Sequence, residues 1–374
     1  MITGGAAMKQ GKKRAILHFA SYYAPYRGNF ISSLARLAAF FACDGIETVY
    51  VFPAEAKELA WAQEMLQNGE AVYFLADSPG KSVKLLRDTI ERHNVVAVHT
   101  HFSETRYNLL IKRALYGKKI KWIRHVHSAY RYAGALKEPL KRFAEPCDCV
   151  ITCNDKIAED MALHGYSRQM LCPVYNGVDF TRLDTYETLT HAQLGITADT
   201  QLVMMFGYNT QIKGVDLAVE AVKCLRETCD ICLMLVAASN IERVKADIAA
   251  QCGGNLPPWI LLLPPRDDIA SYYHAADIFL SASRTESFCY ALLEAQYCEC
   301  YAVASKIPGH MRVASMFESE DAAALANALA GAINMNADER EAVLQQQKKA
   351  VMEQHSVDRW ARQVRQVYRD KLGI

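Results

Sequence analysis

The sequence lacks several features that would have narrowed its class at once. It holds no run of about 18 apolar residues, so no membrane-spanning helix is predicted, and its start lacks the apolar core of a secretory signal. Its 42 lysines and arginines stand against 41 acidic residues, so the net charge of +1 predicts no nucleic-acid partner. The absence of Gly-x-Gly-x-x-Gly removes the usual nicotinamide fingerprint.

Cysteine is plentiful, yet its positions form neither a disulfide framework nor a metal site. The twelve cysteines are scattered through apparent strands and helices, and the one Cys-x-x-Cys, Cys229 to Cys232, enters an apolar run. Structural zinc requires four ligands with suitable spacing in loops. We therefore predict reduced thiols, a cytoplasmic location and no bound metal.

Short apolar runs alternate with amphipathic stretches along most of the chain. Arg14–Ala20 is typical of a buried strand, Gly28 and Asn29 of the following loop, and Phe30–Ala42 of an apolar helix. The alternation restarts at Leu202–Phe206, and 374 residues are many for a single core. The sequence predicts two α/β domains, each built on a doubly wound sheet.

Histidines stand near the ends of two predicted strands in the first domain. His99 and His101 lie where open α/β sheets bind ligands, but we interpret both as structural. His125 and His127 close the run KWIRHVH, which predicts the next strand. A neutral imidazole at His127 can hydrogen-bond a ligand hydroxyl, and the alternative is a satisfied core histidine.

A basic block overlaps the segment that contains His125 and His127. From Arg106 to Arg142, eleven lysines and arginines stand against one acid, Glu138. Aromatic and aliphatic residues alternate with the charges, which gives the block an amphipathic character. We interpret it as a face for an anionic membrane or a lipid diphosphate, placing the protein at the inner membrane surface; the alternative is a solvated basic surface.

The stretch from residue 279 to residue 309 carries the strongest functional signal. It predicts strand, loop, helix and strand, with Glu286 and Glu294 on either side of the helix start. The free N–H groups of residues 288–290 favour an anion, and the carboxylates can accept hydrogen bonds from hydroxyls. An anion flanked by hydroxyl-rich groups describes a nucleotide diphosphate sugar. The alternative is that Glu286 caps the helix and Glu294 is a solvated charge.

This stretch resembles the Glu-x7-Glu signature of retaining GT-B glycosyltransferases, in particular glycosyltransferase family 4. Both glutamates match in Glu286-Ser287-Phe288-Cys289-Tyr290-Ala291-Leu292-Leu293-Glu294-Ala295, with Ser287 and Cys289 where the family has glycine. Lys213-Gly214, Asn176-Gly177-Val178-Asp179 and Pro308-Gly309 also match. The resemblance implies a GT-B fold, in which two Rossmann-like doubly wound domains face each other across a cleft.

The resemblance also implies a division into segments. We predict a flexible tail over residues 1–13, an acceptor-side Rossmann-like domain over 14–180 and a nucleotide-sugar domain over 181–355. A final helix within 356–374 is expected to cross back to the first domain, because GT-B proteins commonly end in this way.

The activity implied is transfer of a sugar from a nucleotide diphosphate sugar to an acceptor hydroxyl with retention, in polysaccharide or glycolipid assembly. Glu286 and His127 are implied to address the sugar, Glu294 the ribose, and Lys213 the diphosphate. No cofactor is expected besides the co-substrate, for which we predict a UDP-sugar. The acceptor is predicted to be a saccharide or a lipid-linked molecule. The donor-binding residues implied are Gly28, Asn29, Tyr208, Lys213, Gly214, Arg266, Arg284, Ser287, Phe288, Cys289, Tyr290 and Glu294.

Departures from the family pattern keep two alternatives open. Tyr208 stands where the family has arginine, which removes a fixed positive charge, and we expect Arg284 to supply one instead. No Asp-x-Asp occurs, so the metal-dependent glycosyltransferase fold lacks its ligand motif. The alternatives are a GT-B sugar-nucleotide 2-epimerase and an inactive partner subunit that binds sugar nucleotides.

Overall fold

The chain folds as two compact units, each built on its own parallel sheet. The computed structural model describes residues 13–102, 104–129, 139, 142–143, 145–237, 241–311 and 313–374. Among these, one unit holds the residues up to Val174 together with Ala361–Ile374, and the other holds Tyr175–Trp360. Apart from Lys13, the predicted tail lies outside the described residues, as do Arg131, Lys137, Glu138 and Lys141 of the basic block.

The first unit contains a seven-stranded parallel sheet in the order β3-β2-β1-β4-β5-β6-β7. Its strands are β1 (Ala15–Ala20), β2 (Glu47–Phe52), β3 (Ala71–Phe74), β4 (Val95–His101), β5 (Lys121–Val126), β6 (Cys149–Thr152) and β7 (Leu171–Pro173). Its described helices before the second unit are α1 (Gly28–Cys43), α2 (Ala60–Gln67), α3 (Pro79–Arg92), α4 (Thr105–Leu115) and α5 (Asp155–Leu163).

The second unit repeats this plan with six parallel strands in the order β10-β9-β8-β11-β12-β13. The strands are β8 (Gln201–Phe206), β9 (Ile231–Val236), β10 (Ile260–Leu263), β11 (Ile278–Ser281), β12 (Tyr301–Ser305) and β13 (Ser315–Phe317). The helices are α6 (Thr210–Lys213), α7 (Val215–Leu225), α8 (Ile241–Gln251), α9 (Ala270–Ala275), α10 (Tyr290–Tyr297), α11 (Ala322–Ile333) and α12 (Ala337–His355), and α13 (Val357–Leu372) follows.

Both sheets confirm the fold class predicted from the sequence. The interior strands β1 and β9 are buried along their whole length, as expected for parallel strands covered by helices on both faces. Asn154 caps α5 by accepting a hydrogen bond from the Ile157 N–H at 2.8 Å. Three elements that follow the motif-rich region, α11, α12 and β13, were not predicted from the sequence.

The segment Asn176-Gly177-Val178-Asp179 packs against the start of α13. Val178 donates a hydrogen bond to the His355 carbonyl at 2.8 Å and accepts one from Val357 at 2.9 Å. A Cβ atom at Gly177 would collide with the Val357 backbone and the Trp360 side chain, so only glycine allows this approach. The motif therefore fixes where the last helix begins.

The later part of α13 belongs to the first unit and makes specific polar contacts there. Tyr368 is fully buried and its hydroxyl lies 2.9 Å from His99 Nδ1. Arg365 forms a bidentate ion pair with Asp44, and Arg369 adds a contact of 3.1 Å to the same carboxylate. The domain boundaries inferred from the sequence stay a prediction.

The basic block is partly neutralised by acids that are distant in sequence. Lys118 pairs with Glu91 at 2.7 Å, Lys121 with Asp148 at 3.0 Å, and Arg124 with the buried Glu145. The eleven-to-one ratio of the sequence therefore overstates the local positive field. Within the described ranges, every helix is too short or too polar to cross a membrane.

Candidate functional site

Lys213 and Glu286, both predicted site residues, form an ion pair in the second unit. The Lys213 ammonium contacts Glu286 Oε1, and the Ser283 hydroxyl donates a hydrogen bond of 3.1 Å to the same oxygen. Both charged side chains are largely buried, with 13% and 16% exposure. Burial disfavours the charged amine, but the Glu286 carboxylate outweighs it and raises the pKa of Lys213. Lys213 is therefore held as a cation.

The conformation of Gly214 allows the backbone next to Lys213 to pack against the end of β11. Helix α6 is capped by Asn209 and ends at Lys213, and Gly214, the next residue, has a left-handed φ of 67°. A Cβ atom at Gly214 would strike the Ala282 carbonyl oxygen, so a side chain is excluded by space as well as by conformation. Lys213 thus reaches the loop after β11 because its neighbour is glycine.

Gly309 likewise allows a close approach of the backbone, in this case to Glu286. A Cβ atom there would overlap the Glu286 carbonyl and its Cβ atom. The Gly309 carbonyl accepts a hydrogen bond from Cys289 N–H at 3.3 Å. Helix α10 begins at Tyr290, with no side-chain cap from the preceding residue. The alternative that Glu286 caps this helix is therefore wrong, because its carboxylate is directed to Lys213.

Glu294 lies inside α10 and is engaged by two groups. Its side chain is buried, and Oε1 contacts the Arg182 guanidinium while Oε2 accepts a hydrogen bond of 3.1 Å from the Tyr273 hydroxyl. The alternative that Glu294 is a solvated surface charge is therefore wrong. The sequence analysis did not find Arg182, although it follows the Asn-Gly-Val-Asp segment by three residues. Tyr273 was missed as well, because no local pattern marks either residue as a partner.

Arg284 forms ion pairs with two acidic side chains. Its guanidinium binds Asp216 through two contacts of 2.9 and 2.7 Å and lies 3.2 Å from Glu320. Its backbone N–H donates to the Ile212 carbonyl at 2.8 Å, which ties it to α6. An anion could recruit Arg284 only in competition with Asp216. Its assignment to a diphosphate stays a prediction.

The other predicted donor-site residues of the second unit lie beside Lys213, in an ion-paired group around Arg266, or at the start of α10. Tyr208 is half exposed, and its ring centre lies 4.9 Å from Lys213 Nζ. Arg266 pairs with Glu187 at 2.5 Å and with Asp268 at 2.7 Å. Phe288 and Cys289 are buried just before α10, whereas Ser287 and Tyr290, beside them, are half-buried. A small cavity beside Lys213 is lined by Met205, Phe206, Phe279, Leu280, Ser281, Ser283, Cys289 and Ala291.

His310 stands beside this cavity and was not predicted. Its Nε2 lies 2.9 Å from Ser281 Oγ, and its Nδ1 lies 2.8 Å from the Ser305 carbonyl. The Cys289 thiol lies 3.7 Å from the same Ser281 hydroxyl, and burial raises the pKa of this thiol to about 11. Potential ligand atoms of Glu286, Cys289 and His310 lie within 4.8 Å of one another. Both His310 nitrogens already have hydrogen-bond partners, and the expectation of no bound metal stays a prediction.

Five histidines of the first unit form a second cluster, which we call the histidine cluster. His18 Nδ1 lies 3.0 Å from His101 Nε2, and His101 Nδ1 lies 3.0 Å from His127 Nε2. Burial lowers the pKa of His18 and of His127 to about 3, so both rings are neutral. Four members lie on the neighbouring strands β1, β4 and β5 and the fifth directly after β5; they are His18, His99, His101, His125 and His127.

Gly28 and Asn29 lie at the start of α1, also in the first unit. Gly28 adopts a φ of 56°, and a Cβ atom there would lie 3.1 Å from the Tyr22 hydroxyl. Asn29 is buried, and its side-chain N–H donates to Ser33 Oγ at 3.3 Å. Their assignment to donor binding stays a prediction.

Comparison with known proteins gives two family matches, one in each half of the chain. Residues 32–182 match the family described as Glycosyltransferase Family 4, and residues 200–335 match Glycosyl transferases group 1. The second match includes Lys213, Glu286 and Glu294. The two matches thus span both parallel sheets.

Curated relatives share moderate sequence identity over part of their length. The D-inositol 3-phosphate glycosyltransferase of Xylanimonas cellulosilytica is 29% identical over 177 residues, which cover 43% of this chain and 41% of that protein. The protein of the same name from Mycobacteroides abscessus is 29% identical over 167 residues, covering 43% and 37%. The chain therefore matches about two fifths of the length of these relatives.

Solved structures resemble the whole chain at low sequence identity. A glycosyltransferase from Rickettsia africae superposes with a TM-score of 0.80 at 18% identity, covering 97% of this chain and 99% of that one. Anabaena HepE, solved in complex with UDP, gives a TM-score of 0.77 at 16% identity, covering 94% and 99%. At such identities the likeness concerns the fold. With the two family matches, it identifies the chain as a member of the GT-B glycosyltransferases that resembles glycosyltransferase family 4.

Proposed function

We propose that the protein is a retaining, metal-independent glycosyltransferase that moves a sugar from a UDP-sugar to an acceptor hydroxyl. The acceptor is a saccharide or a lipid-linked molecule in polysaccharide or glycolipid assembly. The observation that carries the proposal is the ion pair between Lys213 and Glu286, held in place by Gly214 and Gly309 just before α10. It brings a buried cation and a carboxylate together at the start of a helix.

Lys213 is suited to hold the leaving diphosphate. A departing UDP carries negative charge that a fixed cation stabilises more strongly as it develops. The ammonium has three donors, so it can contact Glu286 and a phosphate oxygen together. The N-terminus of α10, which begins at Tyr290, favours an anion in the same place. This charge is supplied by the chain itself, which is why we propose transfer without a metal.

The two carboxylates then have separate tasks. Glu286 accepts hydrogen bonds from hydroxyls of the transferred sugar, and Glu294 accepts them from the ribose. Each carboxylate oxygen has two lone pairs, so the contacts of Glu294 with Arg182 and Tyr273 leave it further capacity to accept. Arg182 and Tyr273 thereby hold Glu294 in one orientation. The assignment of His127 to the sugar remains an expectation from the family resemblance.

The choice of UDP rests on proteins with the same fold. Anabaena HepE was solved with UDP, with UDP and glucose, and with UDP-glucose. The curated relatives are named D-inositol 3-phosphate glycosyltransferase, and the molecule in that name bears a phosphate. The part of the basic block without a described acidic partner, which includes the solvent-exposed Lys119, is suited to a phosphate-bearing acceptor or an anionic membrane face.

By analogy with the family that the chain resembles, the acceptor attacks from the side on which UDP leaves, which retains the anomeric configuration. The acceptor oxygen forms the new bond to the anomeric carbon as the bond to the UDP oxygen breaks. The acceptor proton then passes to the leaving phosphate, so UDP acts as the base. The role of Lys213 is to lower the energy of that phosphate while the charge grows.

A thermal-shift screen tests the donor site first. UDP, GDP, ADP and their sugars are each added to the wild-type chain and to Glu294→Ala, because a ligand that binds the native state raises its apparent stability. We expect UDP to shift the wild type and to shift the variant much less. No shift with any nucleotide would count against the donor site.

Product analysis then tests the reaction. With UDP-sugars and phosphorylated or lipid-linked acceptors, NMR of the product should show the anomeric configuration of the donor, and EDTA should leave the rate unchanged. A new sugar nucleotide without transfer would indicate the epimerase. Binding without turnover over a broad acceptor panel would indicate the inactive partner subunit.

A further inference from the structure

The histidine cluster contains a continuous hydrogen-bonded chain of three imidazoles. His18 Nδ1 meets His101 Nε2 at 3.0 Å, and His101 Nδ1 meets His127 Nε2 at 3.0 Å. His18 and His101 are buried completely, at 1% and 0% exposure. Within the described part of the chain, His18 Nε2 is buried and has no hydrogen-bond partner.

Each neutral imidazole has one N–H donor and one bare nitrogen, so only two proton arrangements satisfy both contacts. In the first, His18 Nδ1–H donates to His101, and His101 Nδ1–H donates to His127 Nε2. In the second, both protons point the opposite way, from His127 through His101 to His18. The three tautomers are therefore coupled, and the state of His18 decides the state of His127.

The surroundings of His18 select the first arrangement. The second would leave an N–H group at His18 Nε2 buried without an acceptor, and orphaned donors are rarer in proteins than under-satisfied acceptors. The first leaves only a bare nitrogen there. Three uncharged rings that do not belong to the three hydrogen-bonded imidazoles lie near His18. They are Phe41 at 6.3 Å, Tyr50 at 6.1 Å and His99 at 5.0 Å between centroids. These rings offer little to stabilise a proton on Nε2.

The ring of His127 is also fixed in orientation. Phe102 stacks on it at 4.4 Å between centroids, and Phe30 meets it edge-on at 5.6 Å. Phe102 has a φ of 50°, a left-handed conformation that is rare for a bulky side chain and is found where the surrounding structure imposes it. With Nε2 engaged by His101, the nitrogen that remains for a ligand is Nδ1.

We propose that His18 and His101 are positioning residues that lock His127 as the Nδ1–H tautomer, so that it meets the substrate as a hydrogen-bond donor. Resting on the proposed function, the substrate group is a sugar hydroxyl, which accepts through its oxygen. His127 is thereby assigned neither proton abstraction nor acceptance of a hydrogen bond from that hydroxyl. The inference concerns which nitrogen carries the proton and requires no change of charge.

The test reads the tautomer directly and needs no activity. The full chain is labelled with 15N in its histidine rings, and long-range 1H–15N correlation spectra are recorded at neutral pH without ligand. The His127→Gln spectrum identifies the His127 signals. We expect protonated Nδ1 and bare Nε2 at His127 in the wild type. Protonated Nε2 would overturn the proposal, whether or not the protein transfers a sugar.

Two variants separate coupling from simple burial. His18→Phe removes the donor to His101, so the His127 signals should move from those of one tautomer to an average of both. His99→Phe changes a histidine that is equally buried but lies outside the chain of three, and it should leave the His127 tautomer unchanged. Unchanged His127 signals in folded His18→Phe would overturn the proposal. If that variant does not fold, the wild-type spectrum alone decides.

Discussion

The ammonium of Lys213 and the carboxylate of Glu286 are paired although 73 positions separate them in the chain. Each was expected to bind a different part of the same donor, the diphosphate and the sugar. Their contact means that each sets the charge state or the orientation of the other before any donor arrives.

Glu286→Gln should make nucleotide binding sensitive to alkaline pH. The Glu286 carboxylate raises the pKa of Lys213 against the opposing effect of burial, so its loss lowers that pKa. Lys213 then loses its proton at a lower pH, and its attraction for the diphosphate goes with it. We expect UDP affinity in the variant to fall by about tenfold between pH 7 and about pH 9.5, while the wild type changes little. Titration calorimetry at both pH values measures this.

Ser283→Ala is the matched control for that experiment. It removes the hydroxyl that donates to the same Glu286 oxygen and leaves the charge in place. Its pH dependence should resemble that of the wild type. Equal pH dependence in all three proteins would mean that Glu286 does not control the protonation of Lys213.

Arg182→Met should destabilise the second unit by leaving Glu294 buried without its cation. Removing one partner of a buried pair is costly because the remaining charge stays desolvated. Since Arg182 is 26% exposed, we expect a loss of only about 2 kcal/mol in the free energy of unfolding. The double variant Arg182→Met/Glu294→Gln should recover most of it. Urea unfolding of the wild type, Arg182→Met, Glu294→Gln and the double variant gives the coupling energy between the two side chains. Additive effects of the two substitutions would argue against the ion pair.

Asp216→Asn should tell how Arg284 acts. If Arg284 only holds α6 in place, the variant should weaken UDP binding to the same extent as Arg284→Gln, because each breaks the same ion pair. If Arg284 contacts the diphosphate, Asp216→Asn should free the guanidinium and tighten binding, opposite to Arg284→Gln. The assignment of Arg284 to the diphosphate predicts the second result, and equal losses of about threefold in the two variants would count against it. UDP titrations of both variants decide between them.

Gly309→Ala should lower stability and nucleotide affinity together. The new methyl group would overlap the Glu286 backbone, and overpacking of this kind costs about 2 kcal/mol. Gly331→Ala is the control, since Gly331 lies within α11 with no atom near its Cβ position. There we expect a gain of about 0.5 kcal/mol from helix propensity. Equal effects in the two variants, measured by urea unfolding, would contradict the close approach at Gly309.

Acid should destabilise the first unit steeply between about pH 6.5 and pH 5. Burial lowers the pKa of all five clustered histidines, so the unfolded chain binds protons that the folded chain does not. Their stabilising contribution is complete above pH 6.5 and falls as pH drops, by up to about 1.4 kcal/mol per histidine per pH unit.

Hydrogen exchange of the β1 and β4 amides measures this pH dependence. His125→Phe removes one of the five titrating rings, so its slope should be about one fifth smaller than that of the wild type. Stability that does not change over this interval would mean that the rings are protonated in the folded state.

Local sequence determined much of the architecture and of the candidate site. Apolar runs of four to six residues predict strands because parallel strands covered on both faces bury every side chain, and β9 shows this burial. The start of α5 is also determined locally, because the Asn154 side chain caps the Ile157 N–H three residues later. The Glu-x7-Glu stretch with Lys213-Gly214 drew attention to residues that lie together in the second unit.

Tertiary structure alone decided the partners of those residues. No local pattern pairs Glu294 with Arg182 or Arg284 with Asp216, because each pair joins segments that are far apart in sequence. The basic block predicted a strongly positive face, but folding brings Glu91, Asp148 and Glu145 to it. The chain of three histidines likewise forms because β1, β4 and β5 are neighbours in the sheet. Residue type thus follows from the sequence, whereas charge state and tautomer depend on the groups that folding places around each side chain.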